Sequence, residues 1–474
     1  MTLPGRGRGP YIRLVMTKAL HQPEEGASAL PVRVPLATRP LGILGTLRVG
    51  RRNVLELVPE IATRQPIVSG RSPRRWHMVM DPGALRRILI ERLDDYPKSE
   101  VTKNVLRPAI GESLFVAEGA HWRWQRRTAA PVFSQRNIRS LTPIMTAAAA
   151  RAAERLDAQA GRAADLFAEM LRTTFEVISD VTFSGGEGLD RQAVHAAIDA
   201  YMAQTARVSL LDVLGAPAWV PRPNRILSGR ALDRMKRIAD RAIDSRRATG
   251  PGAVPDLLDL LLAGHDPESG RQMTTGELRD NLLAFIVAGH ETTSLALAWS
   301  LYLLAFDPGW QARLRDEVRA AIGDRPATAE DLSAMPLVRQ VIEEALRLYP
   351  PAAFLSRTAR RADTLLGREI RPGDTVILPI YALHRNRLLW EEPDAFRPER
   401  FRDGRPVDRF AYLPFGDGPR ICIGAQFAIQ EASVILATLL GRLRFRAIPG
   451  RDPRPTLILT LRPEGGVWLE IERV

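Results

Sequence analysis

The chain has 474 residues, 45% of them apolar and 26% charged, the ordinary balance of a soluble globular protein able to bury a large core. That balance excludes a disordered chain, a collagen and a small disulfide scaffold. The one cysteine, Cys422, excludes an internal disulfide, a multi-thiolate zinc site and a four-cysteine iron–sulfur cluster, so metal chemistry there uses a single thiolate. The net charge is +13, from 67 basic and 54 acidic residues. Nearly all the bases are Arg, with Lys only at Lys18, Lys98, Lys103 and Lys236. No run of bases marks an electrostatic tail, and the excess reads as solvated Arg, so no nucleic-acid partner is expected.

Residues 1–34 carry Gly, Pro and Arg (Gly5-Arg6-Gly7-Arg8-Gly9-Pro10) and read as a loose leader, neither a signal peptide nor an anchor. Residues 35–474 read as one domain. Ile43–Val58 is expected as a first helix, Pro66–Gly70 and Trp76–Met80 as a hairpin across Arg71-Ser72-Pro73, and Ala84–Leu93 as a helix opened by Asp81-Pro82-Gly83. From about Ala120 to His384 the pattern is mostly helical. Helices are expected at Ala147–Leu156, Ala163–Val181, Arg230–Arg247, Pro255–Leu262, Thr274–Phe306, Pro308–Ile322 and Leu337–Leu348, with a proline-rich break at Pro217–Pro223. Strands follow at Thr364–Ile370 and Thr375–Ile380, then a helix at Ile423–Leu443. Leu457–Leu461 and Val467–Ile471 are expected to close the chain as a hairpin around Pro463-Glu464-Gly465-Gly466. The fold class is mainly α with a small β part: a single large helical domain with a β-rich lobe. Leu282–Phe306 is long enough to cross a bilayer. However, His290, Glu291, Thr292 and Thr293 in its middle make it a core helix whose polar residues face something internal, so no transmembrane anchor is expected.

Phe415 to Gly424 reads FGDGPRICIG. The lone Cys sits just before an apolar helix, whose unpaired N–H groups and positive dipole end favour thiolate over thiol. Gly416, Gly418 and Gly424 let the backbone approach a flat ligand and adopt unusual dihedrals. Arg420 offers a cation to a nearby anion. One thiolate as sole protein ligand suits haem iron, since the porphyrin supplies the equatorial ligands. The pattern F-G-x-G-x-R-x-C-x-G resembles the haem-binding signature of the cytochrome P450 family, with every fixed position present.

Other family elements fall in order over about residues 35–474. Glu344-Ala345-Leu346-Arg347 precedes Tyr349-Pro350-Pro351, and Pro398-Glu399-Arg400-Phe401 follows before the Cys loop. The resemblance implies that Glu344, Arg347 and Arg400 form a structural charge network. It implies haem b with Cys422 as axial iron ligand, in a cofactor loop that includes Phe415, Gly416, Gly424 and Arg420. Trp122-Arg123-Trp124-Gln125-Arg126 resembles the family's W-x-x-x-R, whose spacing puts Trp122 and Arg126 on one helix face. That pair, Arg357 and Arg420 are implied as contacts to the haem propionates. His384 reads as a surface or structural residue.

Ala288-Gly289-His290-Glu291-Thr292-Thr293 resembles the family's A-G-x-[DE]-T. Gly289, beside Ala288, would make room for O2 and let the helix open locally, at about 1 kcal/mol relative to Ala. Glu291 and Thr292 would hold water and relay protons, against the plainer reading of a Thr that bonds its own i−4 carbonyl. The resemblance implies an O2-dependent haem-thiolate monooxygenase of a cytoplasmic, bacterial type, with room for peripheral membrane contact. The alternative on the same scaffold is a peroxygenase, isomerase or desaturase. Neither the leader nor the segment after the last strand has room for a reductase. Electrons are therefore expected from NAD(P)H through an external ferredoxin or flavodoxin and its reductase, docking near Arg402, Arg405, Arg409 and Arg420. Leu114-Phe115, residues 210–220, residues 284–292 and Ala352–Leu355 would wall an apolar pocket for a lipophilic substrate such as a fatty acid, a terpenoid or another hydrocarbon skeleton.

Overall fold

A computed structural model of the chain describes residues 30–39, 41–71, 74–183, 223–252, 254–402 and 408–474. Residues 1–29, Ser72-Pro73, residues 217–222 of the proline-rich break, the 210–220 wall and Arg405 lie outside them. Residues from Pro31 onward form one compact unit, which begins slightly before the expected residue 35. Val32 N–H donates to the Tyr302 hydroxyl (3.1 Å), the Tyr349 hydroxyl donates to Val32 O (2.6 Å), and Val34 N–H donates to the Tyr381 hydroxyl (3.0 Å). Three buried tyrosines thus pin Pro31–Val34 to the body.

The helices described are α1 (Ile43–Arg52), α2 (Pro82–Arg86), α3 (Glu100–Ile110), α4 (Gly119–Ala129), α5 (Gln135–Asp157), α6 (Leu166–Phe183) and α7 (Pro223–Thr249). They continue with α8 (Leu257–Ala263), α9 (Thr275–Phe306), α10 (Pro308–Ile322), α11 (Pro336–Leu348), α12 (Ile380–Leu383) and α13 (Ala425–Arg442). The strands are β1 (Ile67–Arg71), β2 (Arg75–Val79), β3 (Ala163–Asp165), β4 (Leu355–Thr358), β5 (Asp363–Leu365) and β6 (Arg368–Ile370). After them come β7 (Thr375–Leu378), β8 (Leu443–Ala447), β9 (Arg454–Leu457), β10 (Leu461–Glu464) and β11 (Trp468–Arg473). This is the mainly α architecture with a small β part that the sequence predicts.

The core is built around α9. A capping box of Thr274 and Glu277 starts it, satisfying two otherwise unpaired donors. At its other end Asp307 accepts from Trp310 N–H (2.9 Å) and Pro308 takes the first position of α10. Between these caps α9 is apolar on nearly every face, and it packs against α6, α7, α11 and α13. It is long and apolar enough to cross a membrane, but 72% of its most apolar window is buried inside the protein. A helix apolar all round and enclosed by others is a core element.

Two sheets flank this core: β1-β2-β7-β4, in which β2 and β7 run parallel, and β3-β11-β8. Several expectations change. Val54–Leu57 is a 3-10 turn separated from α1, because Asn53 breaks the helix and caps the turn through Leu55 N–H. Ala163–Asp165 is a strand before α6 rather than its first turn, paired with β11. Residues 363–370 fold back on themselves as β5 and β6, and β7 pairs instead with β2 and β4. The closing hairpin is β9 with β10, turning at residues 458–460, while β11 joins β8. Gly465 and Gly466, both at φ +85°, link the two sheets instead of turning a hairpin.

Candidate active site

The Cys loop is held in a tight turn: Cys422 N–H donates to Phe415 O (2.9 Å) and Gly424 N–H points at the sulfur. Gly416 and Gly418 sit at φ +67° and +73°, where a side chain is strained. A Cβ on Gly418 would also lie 2.5 Å from Leu89 O. Gly424 differs: its φ is −91° and an added Cβ would meet nothing within 4 Å. Its hydrogen faces open cavity, so its value lies in a close approach from that side.

That cavity has a volume of about 1580 Å³, above the roughly 300–1,000 Å³ of an ordinary small-molecule pocket. Cys422, Phe415, Gly416, Gly424, Arg420, Trp122, Arg126 and Arg357 line it together. So do Ala288, Gly289, Glu291 and Thr292 from α9. Every cofactor and oxygen-side residue expected from the sequence therefore meets at one place. Cys422 is exposed, but to a cavity deep in the protein. Burial pushes its thiol up, opposed by Gly424 N–H and Arg126; the helix end alone does not make it a thiolate. A cationic metal would, by displacing the proton. Among the described residues no group of three His, Cys, Asp or Glu could hold a metal ion.

The cations of the cavity show what else belongs there. Arg420 pairs with Glu118, donates to Ala117 O (3.1 Å) and stacks 4.2 Å over the Trp122 ring. Arg357 is buried and its Nε has no hydrogen-bond partner. Burial, then the neighbouring Arg420, pushes Arg357 down to about 10. Lys98, which the sequence did not single out, also lines the cavity, against the Phe115 ring (4.3 Å) and carbonyl. Burial and the charges of Arg420 and Arg357 hold its ammonium well below the usual lysine range. Three basic side chains thus converge on Glu118, an unfavourable grouping unless a further anion joins them. The carboxylates of a haem fit that need, and Trp122, Arg126, Arg357, Arg420 and Lys98 are the residues that would hold them. Lys98→Met should therefore raise the Tm of the haem-free protein while speeding haem loss from the loaded one several-fold. Thermal unfolding and haem transfer to a scavenger protein measure the two effects; equal haem loss would remove Lys98 from the anion site.

On the α9 side the helix is unbroken across Gly289, so the expected local opening is not present. The Thr292 hydroxyl donates to Ala288 O (2.7 Å), the i−4 bond of the plainer reading. Its oxygen still lines the cavity, where it can accept a hydrogen bond. Glu291 is buried, with Oε1 accepting from the Arg462 Nε and the Thr460 hydroxyl and Oε2 unpartnered. Thr460 and Arg462 belong to the β9–β10 hairpin, whose tip also walls the cavity; no local motif points to them. His290 turns away, toward the Phe175 ring (6.0 Å).

Behind the loop, Glu344 and Arg347 are fully buried and paired twice (2.7 and 2.8 Å). Arg400 Nε lies 3.5 Å from the same carboxylate. His384 is buried: Nδ1 donates to Arg347 O (3.1 Å) and Nε2 accepts from Leu413 N–H (2.9 Å). Burial and the nearby Arg347 push it down to about 3, so it is a neutral structural bolt. The expected docking bases are partly used up: Arg420 is buried on Glu118, Arg409 pairs with Asp417, and Arg402 is exposed.

A sequence profile of the family described as Cytochrome P450 matches residues 59–470. The chain is 32% identical to cyclooctatin synthase of Streptomyces melanosporofaciens, over 89% of this chain and 93% of that one. It is also 32% identical to cyclooctat-9-en-7-ol 5-monooxygenase of the same organism, over 94% and 95%, and 34% identical to cytokinin hydroxylase of Arabidopsis thaliana, over 79% and 74%. The solved cytochrome P450DA heme domain superposes with a TM-score of 0.77 at 27% identity, covering 86% of this chain and 90% of that one. A lone cysteine on a glycine loop, a cavity larger than one ligand needs and a cluster of cations short of anions all agree with this: the chain belongs to the cytochrome P450 family and is a P450 monooxygenase.

Proposed function

We propose that the enzyme inserts one oxygen atom of O2 into a lipophilic hydrocarbon skeleton, using two electrons from an external ferredoxin or flavodoxin and its reductase, ultimately from NAD(P)H. A cytoplasmic location belongs to the same proposal. The single observation that carries the reading is the meeting of Cys422 with Glu291 and Thr292 across one apolar cavity. When bound, the haem, held by the Cys422 thiolate, supplies the redox chemistry, a thiolate in that position favouring O–O cleavage. The chain's residues do the rest. Lys98, Arg357, Arg420, Trp122 and Arg126 anchor the carboxylate edge. Leu114, Phe115, Phe285, Val287 and Leu355 offer apolar surface that excludes water and orients a hydrocarbon. Thr292 accepts a hydrogen bond from the oxygen-side water and holds a proton at its Oγ1. The free Oε2 of Glu291 takes and returns protons, while Arg462 and Thr460 hold the other oxygen still. Two relatives carry names built on cyclooctatin and cyclooctat-9-en-7-ol, which supports a hydrocarbon skeleton as the substrate class.

Two measurements test the reading. A low- to high-spin shift on titrating terpenoids and fatty acids into the loaded enzyme identifies the substrate class. Turnover must then require NAD(P)H with redox partners; turnover with peroxide alone would put the chain among the peroxygenases. Thr292→Ala should keep haem and the thiolate-type ferrous–CO Soret band while product per NAD(P)H falls about tenfold and hydrogen peroxide rises to match. Unchanged coupling would remove Thr292 from proton handling.

A further inference from the structure

Ser69 on β1, His77 on β2 and Asp374 just before β7 form a hydrogen-bonded line that the oxygen chemistry does not use. Ser69 and His77 stand directly opposite each other. Hydrogen-bonded pairs alternate along an antiparallel ladder, and the pairs between them bring side chains closest. Met80 N–H donates to Pro66 O (2.8 Å), which by this alternation makes Ser69–His77 one of the closer pairs. Ser69 Oγ lies 2.8 Å from His77 Nδ1, and His77 Nε2 lies 3.2 Å from Asp374 Oδ2. The same carboxylate oxygen accepts from Arg371 N–H (2.8 Å) and lies 3.3 Å from Arg75 Nε. A carboxylate only accepts, so the imidazole proton sits on Nε2 and Nδ1 is left to accept from the Ser69 hydroxyl. His77 and Asp374 are buried, while Ser69 is exposed. An accessible hydroxyl is thus aimed at a buried base that a fixed acid orients, the geometry of an activated nucleophile.

Two donors flank the hydroxyl. β1 is the edge of its sheet, and in a pair of this kind the Ser69 N–H points off that edge, away from β2. Arg71, two residues on, shares the face of Ser69. It is exposed, without an ion-pair partner among the described residues, and stands opposite Arg75. Like charges directly opposite cost stability, and an anion bound there offsets that cost. Ser69 also borders the large cavity, together with Val68, Trp76 and Met78, so an apolar chain has a wall to lie on.

We propose that Ser69, His77 and Asp374 form a second catalytic site, an esterase for carboxylic esters with a lipophilic chain. Ser69 Oγ bonds to the ester carbonyl carbon and its proton passes to His77 Nδ1, while the carbonyl π pair moves onto oxygen. Ser69 N–H and the Arg71 guanidinium meet that oxyanion. The pair returns, the ester C–O bond breaks, and the alcohol leaves with the proton from His77. Water then bonds to the acyl carbon on Ser69 and gives a proton to His77, which returns it to Ser69 Oγ as the acyl bond breaks. The sum is ester plus water to carboxylic acid plus alcohol. Nothing is oxidised or reduced, so neither haem nor NAD(P)H takes part. Asp374 acts through His77 as a positioning residue. The ring is turned relative to the usual triad, with Nδ1 rather than Nε2 on the hydroxyl, but either nitrogen of a neutral imidazole can be the base.

The test uses the haem-loaded wild type, Ser69→Ala and His77→Gln, without NAD(P)H. The wild type should hydrolyse p-nitrophenyl octanoate severalfold faster than the acetate, and a fluorophosphonate should label Ser69, located by peptide mass spectrometry. Hydrolysis should fall about a hundredfold or more in each variant, with the label lost. In Ser69→Ala the Tm, the ferrous–CO Soret band and product per NAD(P)H should stay as in the wild type. A hydrogen bond that only holds the hairpin together would instead lower the Tm of Ser69→Ala and leave no labelled serine in the wild type. Wild-type hydrolysis no faster than buffer, hydrolysis undiminished in Ser69→Ala, or a label on another residue overturns the inference. Equal rates on acetate and octanoate overturn the lipophilic substrate. Ser69 is an exposed edge residue, so Ser69→Ala and the labelling answer the question even if His77→Gln fails to fold.

Discussion

Arg347→Leu is expected to abolish a stable haem-loaded protein. The Arg347 guanidinium donates to Glu344 (2.7 and 2.8 Å), to His384 O (2.8 Å), to Pro393 O (2.6 Å) and to Ala395 O (3.0 Å). It therefore closes the irregular segment at Pro393 and Ala395, together with the carbonyl of His384, onto α11. Glu344 adds Arg397 N–H (2.8 Å) on the same segment. Removing the cation leaves a buried carboxylate with only Arg400 near it, at a cost of about 3–5 kcal/mol. Each abandoned carbonyl adds about 1–3 kcal/mol. Against a total stability of about 5–15 kcal/mol, that is enough to unfold the region that presents the Cys loop. Arg347→Lys should fall between, because an ammonium cannot span a carboxylate and three carbonyls at once. The double variant Glu344→Leu, Arg347→Leu should cost less than the sum of its parts, since it removes the stranded charge along with its partner. Thermal unfolding and haem content decide the matter. Single variants that keep full haem and lie within about 1 kcal/mol of wild type would show that the network does not hold this segment.

What the sequence discloses about this protein follows the reach of its interactions. The ends of α10 are legible because both stops are local: Asp307 caps one end, and Gly323 at φ +62° ends the other. The Cys loop is legible because Gly416, Gly418 and Cys422 act within one tight turn. Strand partners are not. Alternating apolar residues mark Leu457 and Val467 as strand-like, yet the pleat says nothing about which neighbour each strand meets. Gly465-Gly466 looks like a hairpin turn and is really the step between two sheets, with Gly466 too close to the Asp165 carboxylate to bear a side chain (an added Cβ would lie 2.4 Å away). Lys98 and Arg462 carry no motif. Lys98 acquires meaning only when Arg357 and Arg420 arrive from distant parts of the chain.

Cys422→Ser should leave the fold in place and remove the chemistry. The loop does not depend on sulfur: Cys422 N–H to Phe415 O is a backbone bond, and Gly424 N–H can donate to a serine oxygen as it does to the thiol. Tm of the haem-free variant should therefore match that of the wild type. The ligand, however, cannot be replaced. Cys422 is the chain's only cysteine. His384 has both ring nitrogens engaged, and His290 faces Phe175, away from the cavity. A serine hydroxyl ionises far less readily than a thiol and is a poor soft donor to iron. The cations at the carboxylate edge are untouched, so some haem should still enter, held by that edge alone and lost faster on dilution. Its ferrous–CO complex should lack the thiolate-type Soret shift, and product should fall below detection. Lys98, Arg357 and Arg420 give the internal control: altering them weakens haem retention without changing the Soret position of what stays bound. A thiolate-type shift retained in Cys422→Ser would place the iron ligand elsewhere and separate this loop from the chemistry.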